Sequence, residues 1–337
     1  MSVSSGTEAA PWRHPGWATA ATARIDAALA HEGITRTGPV TEVKNWVLSA
    51  VLRCPTSHGP VYYKQALPCL AHEGPLLARL GERRPGLVPT VLAPDLPGPG
   101  WCTRGVRLLP GTGLPDRARG DALRELAGLQ RRLTERPGGA AELTGLGCWD
   151  RRADSLAREA RTLAERADVF GPDAPLPDAL TPREARGWAD ALRRIPSWCA
   201  ELATQPPGDT LVHGDLHPGN WGVDPADGRI TLLDWAEAAV GHPFLDIAPA
   251  LRSAADPAER ARALARCFAG WAPLMSPARC AAVWRIAEPV AALNQVVTYV
   301  RFHDETAPPE RRNWAPRVLW WARRLIGLLD GADRRAP

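Results

Sequence analysis

Alternating apolar and polar positions in the first third of the chain predict a small, mostly β lobe. Residues 46–54 and 61–64 are rich in β-prone side chains, and the stretch between them has the composition of a turn. Two further strands are predicted at residues 88–93 and 100–104, separated by a segment rich in Pro and Gly. The lobe should therefore end shortly after residue 104.

Beyond this point the apolar residues recur at helical spacing. Between residues 119 and 133 they stand at Ala122, Leu123, Leu126, Leu129 and Leu133. The same pattern predicts helices over residues 151–167, 183–202, 257–271, 278–303 and 309–329. Two earlier helices are predicted at residues 17–32 and 70–80. The chain is thus predicted to have an α+β fold.

Three polar residues near two predicted strands have the spacing of a phosphoryl-transfer site. Asp215 follows the apolar residues 211–212 in a loop of His, Gly, Asp and Pro, and Asn220 stands five positions later. Asp234 ends the β-prone run 230–233, nineteen positions after Asp215. Phosphoryl transfer depends mainly on positioning and on neutralisation of phosphate charge by Mg²⁺. A general base and two magnesium ligands would meet that requirement.

This stretch resembles the catalytic and metal-binding segments of the aminoglycoside phosphotransferase family, which is related to choline and homoserine kinases within the protein-kinase-like fold. The resemblance is carried by His213-Gly-Asp215-(x)4-Asn220, by His217, by Asp234-Trp-Ala and by Gly241-His-Pro-(x)2-Asp246. The first motif matches the kinase catalytic loop H-R-D-x-x-x-x-N with Gly in place of Arg, and the third stands where kinases carry D-F-G.

The resemblance implies a protein-kinase-like fold of two lobes, the first small and β-rich and the second larger and mostly helical. It divides the chain into a nucleotide-binding lobe (38–106) and a catalytic and substrate-binding lobe (107–337). A helical extension (1–37), which the family does not specify, is expected to pack on the first lobe. By the resemblance Asp215 orients or deprotonates the acceptor hydroxyl, while Asn220 and Asp234 hold Mg²⁺.

Lysine is rare in this chain, since only two of its 41 cationic residues are lysines. The ammonium group of lysine is a compact point charge, whereas the guanidinium group of arginine is broad and planar. A position that keeps lysine in this arginine-rich chain therefore indicates a need for the smaller group. By the resemblance Lys64 contacts the α- and β-phosphates of ATP or GTP; a solvated surface lysine is the alternative. Its expected acidic partner is Glu73; a carboxylate that only stabilises the helix dipole is the alternative. Glu82 is a second candidate, although Gly81 is predicted to end the helix.

The phosphate-binding loop departs from the kinase pattern, because no glycine lies between Gly38 and Gly59. The loop between the first two strands is predicted over residues 42–49. Members of the resembled family often use a serine hydroxyl and backbone amides there, which nominates Ser49. Lys44 would add a charge near the γ-phosphate. The alternative for both Ser49 and Lys44 is a solvent-exposed position without a role in nucleotide binding.

The resemblance places the acceptor in a cleft built by the helical lobe. Polycationic aminoglycosides require an acidic cleft, whereas residues 240–337 contain nine acids and fourteen arginines. Asn294, Gln295 and Tyr299 interrupt an otherwise apolar predicted helix and are candidates to bind the acceptor. Buried core polar groups are the alternative for all three.

Composition argues against several other classes of protein. The net charge of +4 is not concentrated in a basic stripe, so no nucleic-acid partner is expected. No apolar run approaches the ~20 residues of a membrane helix. Seven scattered cysteines without a C-x-x-C pair, and a start without signal-peptide features, indicate a cytoplasmic protein. It is expected to be a monomer or a homodimer.

The sequence therefore predicts a kinase that transfers the γ-phosphate of ATP or GTP to a hydroxyl of an antibiotic or related small molecule. A metabolite kinase of the choline or homoserine type and a catalytically silent kinase-fold binding protein are the alternatives. A zinc site built on His213, Asp215 and His217 would leave Asn220 and Asp234 unexplained. A protein-serine kinase is disfavoured because Arg after His213 and an A-P-E segment are missing.

Overall fold

A five-stranded antiparallel sheet forms the amino-terminal part of the protein in this computed structural model, which describes residues 10–136, 138–171, 174, 176 and 178–333. Its elements are α1 (Trp17–His31), β1 (Thr41–Asn45), β2 (Ser49–Cys54), β3 (Val61–Ala66), α2 (Glu73–Arg83), β4 (Val91–Leu92) and β5 (Gly100–Arg104). The strands are ordered β1-β2-β3-β5-β4 across the sheet. The predicted β-rich amino-terminal region is thus confirmed.

Apart from its edge strand β1, this sheet is covered by apolar side chains on both faces. One face packs on α1, whose Ile25 and Leu29 belong to a buried cluster with Val61 and Tyr63. The first helix therefore lies on the amino-terminal lobe, as expected from the sequence. On the other face Ala66 joins a large core that continues into the helical part of the molecule.

Strand β1 corrects the predicted strand pattern. Residues 41–45 pair with β2, so only residues 46–48 form the connection that was expected over residues 42–49. All five residues of β1 are exposed. A strand at the edge of a sheet with neither face buried has no alternation of apolar and polar residues, and the pattern therefore does not reveal it.

The helix that carries Glu73 also differs from its prediction. Residues 68–70 form a separate turn of 3-10 helix, and α2 begins at Glu73 and continues past Gly81 to Arg83. The expectation that Gly81 ends the helix is therefore wrong. Burial of the leucines on the inner face of α2 outweighs the roughly 1 kcal/mol that glycine costs inside a helix.

The remainder of the chain is mostly helical. Its helices are α3 (Asp116–Thr134), α4 (Gly139–Gly145), α5 (Ala153–Ala164), α6 (Ala167–Phe170), α7 (Pro182–Ala203), α8 (Ile247–Leu251), α9 (Pro257–Trp271), α10 (Pro277–Glu305), α11 (Pro308–Arg311) and α12 (Ala315–Asp333). Its strands are β6 (Leu109–Pro110), β7 (Trp149–Arg151), β8 (Thr210–Val212), β9 (Trp221–Val223), β10 (Ile230–Leu232) and β11 (Ala239–Gly241). They form two three-stranded sheets, ordered β10-β9-β6 and β7-β11-β8.

The long predicted helices are confirmed, whereas the short strands could not be predicted from the spacing of apolar residues. Helices α3, α7, α9 and α10 correspond closely to the predicted ranges. The helix predicted over residues 309–329 is interrupted between α11 and α12, and the one predicted over residues 151–167 begins only after β7. Strands β7, β9 and β11 have three residues each, too few to show a period.

The two lobes meet at the elements that contain the predicted site residues. Strand β3 and helix α2 approach from the first lobe, and the loop after β8 and the segment after β10 approach from the second. The predicted α+β, two-lobed fold is confirmed. Among the helices of the described ranges, none combines the length and apolar character that crossing a membrane requires.

Candidate active site between the two lobes

A buried carboxylate holds the loop between β8 and β9. The backbone amides of His213 and Gly214 donate to the two oxygens of Asp246 over 2.9 and 2.8 Å. The Gln130 side chain donates to the same carboxylate over 2.7 Å. Gln295 donates its amide N–H to the carbonyl of Gly214, also over 2.7 Å. The position of this loop is thus fixed by residues that lie far away in the chain.

Asp246 is sensitive to pH because of its burial. Burial raises the pKa of this carboxyl to about 7, although its hydrogen bonds from His213, Gly214 and Gln130 favour the charged form. Both oxygens are free to accept only when the group is ionised. Anchoring of the loop is therefore strongest above neutral pH.

Gly214 stands where the kinase catalytic loop carries arginine, and the local backbone explains the glycine. Its φ is +90°, in the left-handed region that side chains disfavour. A Cβ added here would also collide with the backbone carbonyl of Glu237. The loop therefore reaches its conformation only with glycine at this position.

The carboxylate of Asp215 has one occupied oxygen and one free oxygen. Asn220 donates from Nδ2 to Oδ2 over 3.1 Å and to the backbone carbonyl of Asp215 over 2.9 Å. His217 accepts a hydrogen bond from Gly219 at Nδ1, and its Nε2 lies 3.4 Å from the same Oδ2. Within the described ranges the buried Oδ1 has no hydrogen-bond partner. An acceptor oxygen left open in this way is suited to a ligand hydroxyl.

Asn220 and Asp234 offer oxygen atoms that fit Mg²⁺. Because the amide nitrogen of Asn220 is engaged with Asp215, its Oδ1 remains for a cation. The backbone carbonyl of Asn220 accepts from the amide of Leu233 over 2.7 Å, which ties the two ligand segments together. Mg²⁺ is usually held by one or two protein oxygens together with phosphate oxygens and water.

A zinc site finds no support in the side chains. His213 directs Nε2 to the backbone carbonyl of Leu233 at 3.0 Å, so this ring is engaged with the protein itself. In the parts of the chain that the structure describes, no group of three or more His, Cys, Asp or Glu residues is arranged to hold a metal ion. The histidines of the motif therefore position the loop.

Lys64 joins the two lobes through two carboxylates. Its ammonium nitrogen lies 2.6 Å from Oε2 of Glu73 and 2.6 Å from Oδ1 of Asp234. Asp234 adopts a left-handed backbone with φ of +56°, an uncommon conformation for a residue with a side chain. Such strain is typical of functional positions. Strand β3, helix α2 and the segment after β10 thus converge on one cationic atom.

The charges of this cluster stabilise one another. Burial alone would raise the pKa of Asp234, but the charge of Lys64 lowers it to about 2. Burial lowers the pKa of Lys64, yet the two carboxylates outweigh burial and raise it above its ordinary value. Burial raises the pKa of Glu73 against the opposing effect of Lys64. With all three groups ionised, the cluster carries an excess negative charge that suits a divalent cation.

Of the two acidic candidates on α2, Glu73 is the one that contacts Lys64. It is the first residue of the helix, and its other oxygen accepts from the backbone amide of Trp235 over 3.1 Å. Glu82 instead forms an exposed ion pair with Arg79 at 2.7 Å. Glu73 therefore connects the start of α2 to the segment that carries Asp234.

Aromatic side chains fix the glycine-free connection between β1 and β2. The indole N–H of Trp46 donates to the Ser49 hydroxyl over 2.9 Å, and the Trp46 carbonyl accepts from the indole of Trp12 over 2.7 Å. The Trp46 ring lies 5.8 Å from the ring of Trp314 in the other lobe. Lys44 places its ammonium 4.3 Å from the Trp46 ring. Packing thus replaces the backbone flexibility of a glycine-rich loop.

The three residues nominated for acceptor binding lie in different surroundings. Gln295 is fully buried and contacts Gly214, so it supports the loop from behind. Asn294 is buried within α10. Tyr299 lines the space beside Asp215, and its hydroxyl lies 3.4 Å from Arg252. Their roles toward an acceptor stay predictions.

These groups surround one cleft with a volume of about 330 Å³. It is lined from both lobes by Lys44, Trp46, Leu48, Ser49, Lys64, Ala66, Leu70, Asp215, His217, Asn220, Asp234, Ala236, Glu237, Arg252, Tyr299, Phe302, Trp314 and Arg317. The sequence pattern did not indicate Glu237, Arg252, Trp314 or Arg317 as cleft residues, whereas Trp46 lies within the loop predicted over residues 42–49. Only Glu237 carried a signal, its place three positions after Asp234; the others reach the cleft through tertiary structure.

Comparisons with known proteins bear on the family and the fold of the chain. The model of a family described as phosphotransferase enzymes matches residues 40–283. A solved macrolide 2'-phosphotransferase of type I is 20% identical, with 88% of this chain and 96% of that chain covered and a TM-score of 0.56. A choline/ethanolamine kinase family protein from Mesorhizobium loti is 17% identical, with coverages of 90% and 94% and a TM-score of 0.59.

A third solved structure carries ligands. It is a spectinomycin phosphotransferase in complex with ADP and spectinomycin, 12% identical, with 91% of this chain and 96% of that chain covered and a TM-score of 0.55. At these identities the likenesses show a shared fold. No curated protein sequence matches the chain significantly.

Proposed function

Because the chain belongs to the phosphotransferase enzyme family, we propose that it transfers the γ-phosphate of ATP or GTP to a hydroxyl of a small molecule, with Mg²⁺ as cofactor. The observation that carries this proposal is the convergence of Lys64, Glu73 and Asp234 beside the Asp215–Asn220 pair in one cleft. A phosphotransferase needs these charges together, whereas a silent binding module does not.

Each residue has a task in this proposal. Lys64, held by Glu73, contacts the nucleotide phosphates. Asp234 and Oδ1 of Asn220 hold Mg²⁺, which would neutralise charge on the transferred phosphoryl group. Ser49 and the backbone around it contact the phosphates from the first lobe, and Lys44 adds a charge near the γ-phosphate.

Asp215 acts on the acceptor. Its free Oδ1 accepts a hydrogen bond from the acceptor hydroxyl, while Asn220 and His217 hold Oδ2 in place. The hydroxyl oxygen forms a bond to the γ-phosphorus as the bond to the β-phosphate oxygen breaks. The hydroxyl proton passes to Asp215, and a phosphoester and a nucleoside diphosphate are the products.

Antibiotics and related small molecules are the proposed acceptors, with choline- or homoserine-type metabolites as the alternative. The structural neighbours support both groups, since they include a macrolide phosphotransferase and a choline/ethanolamine kinase family protein. The proposed setting is the cytoplasm. All seven cysteines are free thiols in the structure, in keeping with a reducing compartment.

Two measurements test the proposal together. Calorimetric titration with ATP or GTP should show binding that strengthens when Mg²⁺ is present. Incubation with nucleotide, Mg²⁺ and a library of hydroxylated antibiotics and metabolites should yield a phosphoester, detected by mass spectrometry. If Mg²⁺-nucleotide neither binds nor is consumed, the proposed function is wrong.

A further inference from the structure

We propose that the acceptor carries an anionic group, a carboxylate or a phosphate, at the end away from its reactive hydroxyl, and that Arg252 and Arg317 bind this group. This inference rests on the proposed function and narrows its substrate class. It follows from how charge is distributed between the floor and the mouth of the cleft.

Two carboxylates lie deep in the cleft, and two arginines lie at its mouth. The side chain of Asp215 is only 16% exposed, and Oε2 of Glu237 is buried without a hydrogen-bond partner among the described residues. Arg252, directly after α8, and Arg317, on α12, also line the cleft but are exposed. A hydroxyl that reaches Asp215 therefore leaves the opposite end of its molecule near the two arginines.

Neither arginine forms an ion pair with a carboxylate among the described residues, although Glu237 lies within electrostatic range of Arg252. Arg252 contacts the Tyr299 hydroxyl at 3.4 Å, and Arg317 donates to the backbone carbonyl of Asn313 over 3.1 Å. No carboxylate lies within 4.0 Å of either guanidinium in the described residues.

Other arginines of the same region are paired with acids. Arg324, on the same helix as Arg317, lies 2.6 Å from Glu288. Arg119 lies 2.8 Å from Glu259. Arg252 and Arg317, which line the cleft, have no such acidic partner among the described residues, an arrangement expected when a ligand supplies the counter-charge.

An aromatic wall links the floor and the mouth. The rings of Tyr299 and Trp314 are stacked with centroids 6.3 Å apart, and the Arg317 guanidinium lies 5.8 Å from the Trp314 ring. Burial raises the pKa of the Tyr299 hydroxyl, and the charges of Asp215 and Glu237 raise it further. The charges of Arg252 and Arg317 lower it. This phenol therefore lies within electrostatic range of both ends.

The same arrangement disfavours cationic acceptors. A polycation entering the cleft would meet Arg252, Arg317 and Lys44, each of which is exposed. Like charges brought together at a binding site exclude a wrong partner, and opposite charges attract the right one. The acceptor is therefore a hydroxylated acid, in contrast to an aminoglycoside.

The test uses acceptor sets that differ only in charge. A library of hydroxylated carboxylates and phosphates is assayed beside the matching esters and amines, with para-(hydroxymethyl)benzoic acid, its methyl ester and para-(hydroxymethyl)benzylamine as one set. Binding to the protein loaded with ADP and Mg²⁺ is measured by calorimetry, and phosphoester formation by phosphorus NMR. The carboxylate and phosphate arms distinguish the two kinds of anion.

Two double variants are compared with the wild type: Arg252→Ala/Arg317→Ala and the charge-reversed Arg252→Glu/Arg317→Glu. Arg285→Ala is the matched control. Arg285 is exposed on α10 and does not line the cleft. For wild type and the control we expect anionic members to be preferred over esters and amines by at least about tenfold in affinity and in kcat/KM. The alanine pair should lose this preference, and the glutamate pair should favour the amines, with KM for the nucleotide unchanged.

Three results would overturn the inference. The first is that the wild type binds and phosphorylates acids, esters and amines equally well. The second is that the preference for acids remains in the variant with both alanine substitutions. The third is that the variants differ from the wild type only in KM for the nucleotide. Failure of the proposed function looks different, because Mg²⁺-nucleotide would then not bind to any of these proteins.

Discussion

The ammonium nitrogen of Lys64 lies 2.6 Å from a carboxylate oxygen of Asp234, although 170 residues separate the two in the chain. This contact crosses from the β-rich lobe to the helical lobe. It brings the lysine proposed to contact the nucleotide phosphates to the residue proposed to hold Mg²⁺. The lysine is shared with Glu73, so the geometry of the cluster depends on three elements at once.

The first prediction separates the two acidic candidates on α2. Glu73→Gln leaves Lys64 held by Asp234 alone, and we expect KM for the nucleotide to rise and kcat/KM to fall at least about a hundredfold (about 2.7 kcal/mol), since the lysine is no longer fixed between two carboxylates. Glu82→Gln, on the exposed side of the same helix, should stay within twofold (about 0.4 kcal/mol) of wild type. Steady-state kinetics with varied nucleotide concentration measures both. Similar losses in the two variants would contradict the assignment of Glu73.

The second prediction concerns the glycine of the catalytic loop. Gly214→Ala places a side chain on a backbone with positive φ and against the carbonyl of Glu237. We expect the free energy of unfolding to fall by about 1–3 kcal/mol and turnover to fall with it. Gly113→Ala is the control, because a Cβ at Gly113 meets no atom within 4 Å. Urea unfolding compares them, and equal stability of the two variants would remove the conformational explanation.

The third prediction uses the raised pKa of Asp246. Its ordinary value is 3.8 and its value in the folded protein is about 7. Between these values the folded state binds a proton that the unfolded state has released, so this group makes the protein less stable as pH rises from about 4 to about 7. Above pH 7 its unfavourable contribution is complete, at up to about 4 kcal/mol.

Asp246→Asn has no such titration. The stability of wild type relative to this variant should therefore decline between about pH 4 and pH 7 and become constant above that range. Denaturant unfolding at a series of pH values measures the difference. A stability difference that does not change with pH would show that Asp246 does not titrate in this window. The variant should also turn over more slowly, since an amide cannot accept from both His213 and Gly214.

Much of the candidate site could be predicted because it is local in sequence. Asp215, Asn220 and Asp234 lie within a short stretch whose strand and turn composition fixes their separation. The rarity of lysine in the chain singles out Lys64. Its contact with Glu73 joins β3 to α2, the next helix along the chain. Family resemblance supplied the roles that spacing alone leaves open.

The parts that were not predictable depend on tertiary structure. The exposed edge strand β1 has no apolar alternation to detect. Gln295 was nominated for the acceptor, but the crossing of α10 behind the loop brings its amide to Gly214. Arg252 follows α8 and Arg317 lies on α12, and one-dimensional patterns give no reason to bring them to the same cleft.

The central claim is that Asp215 activates the acceptor hydroxyl in a site that binds nucleotide independently. Asp215→Asn keeps the size of the side chain and a carbonyl oxygen but removes the base. The decisive measurement is kcat for phosphoester formation by this variant on an acceptor from the library, together with its Kd for Mg²⁺-nucleotide. We expect kcat to fall by about 10²–10⁴ while Kd changes by less than about threefold. A variant that turns over at the wild-type rate would contradict the account.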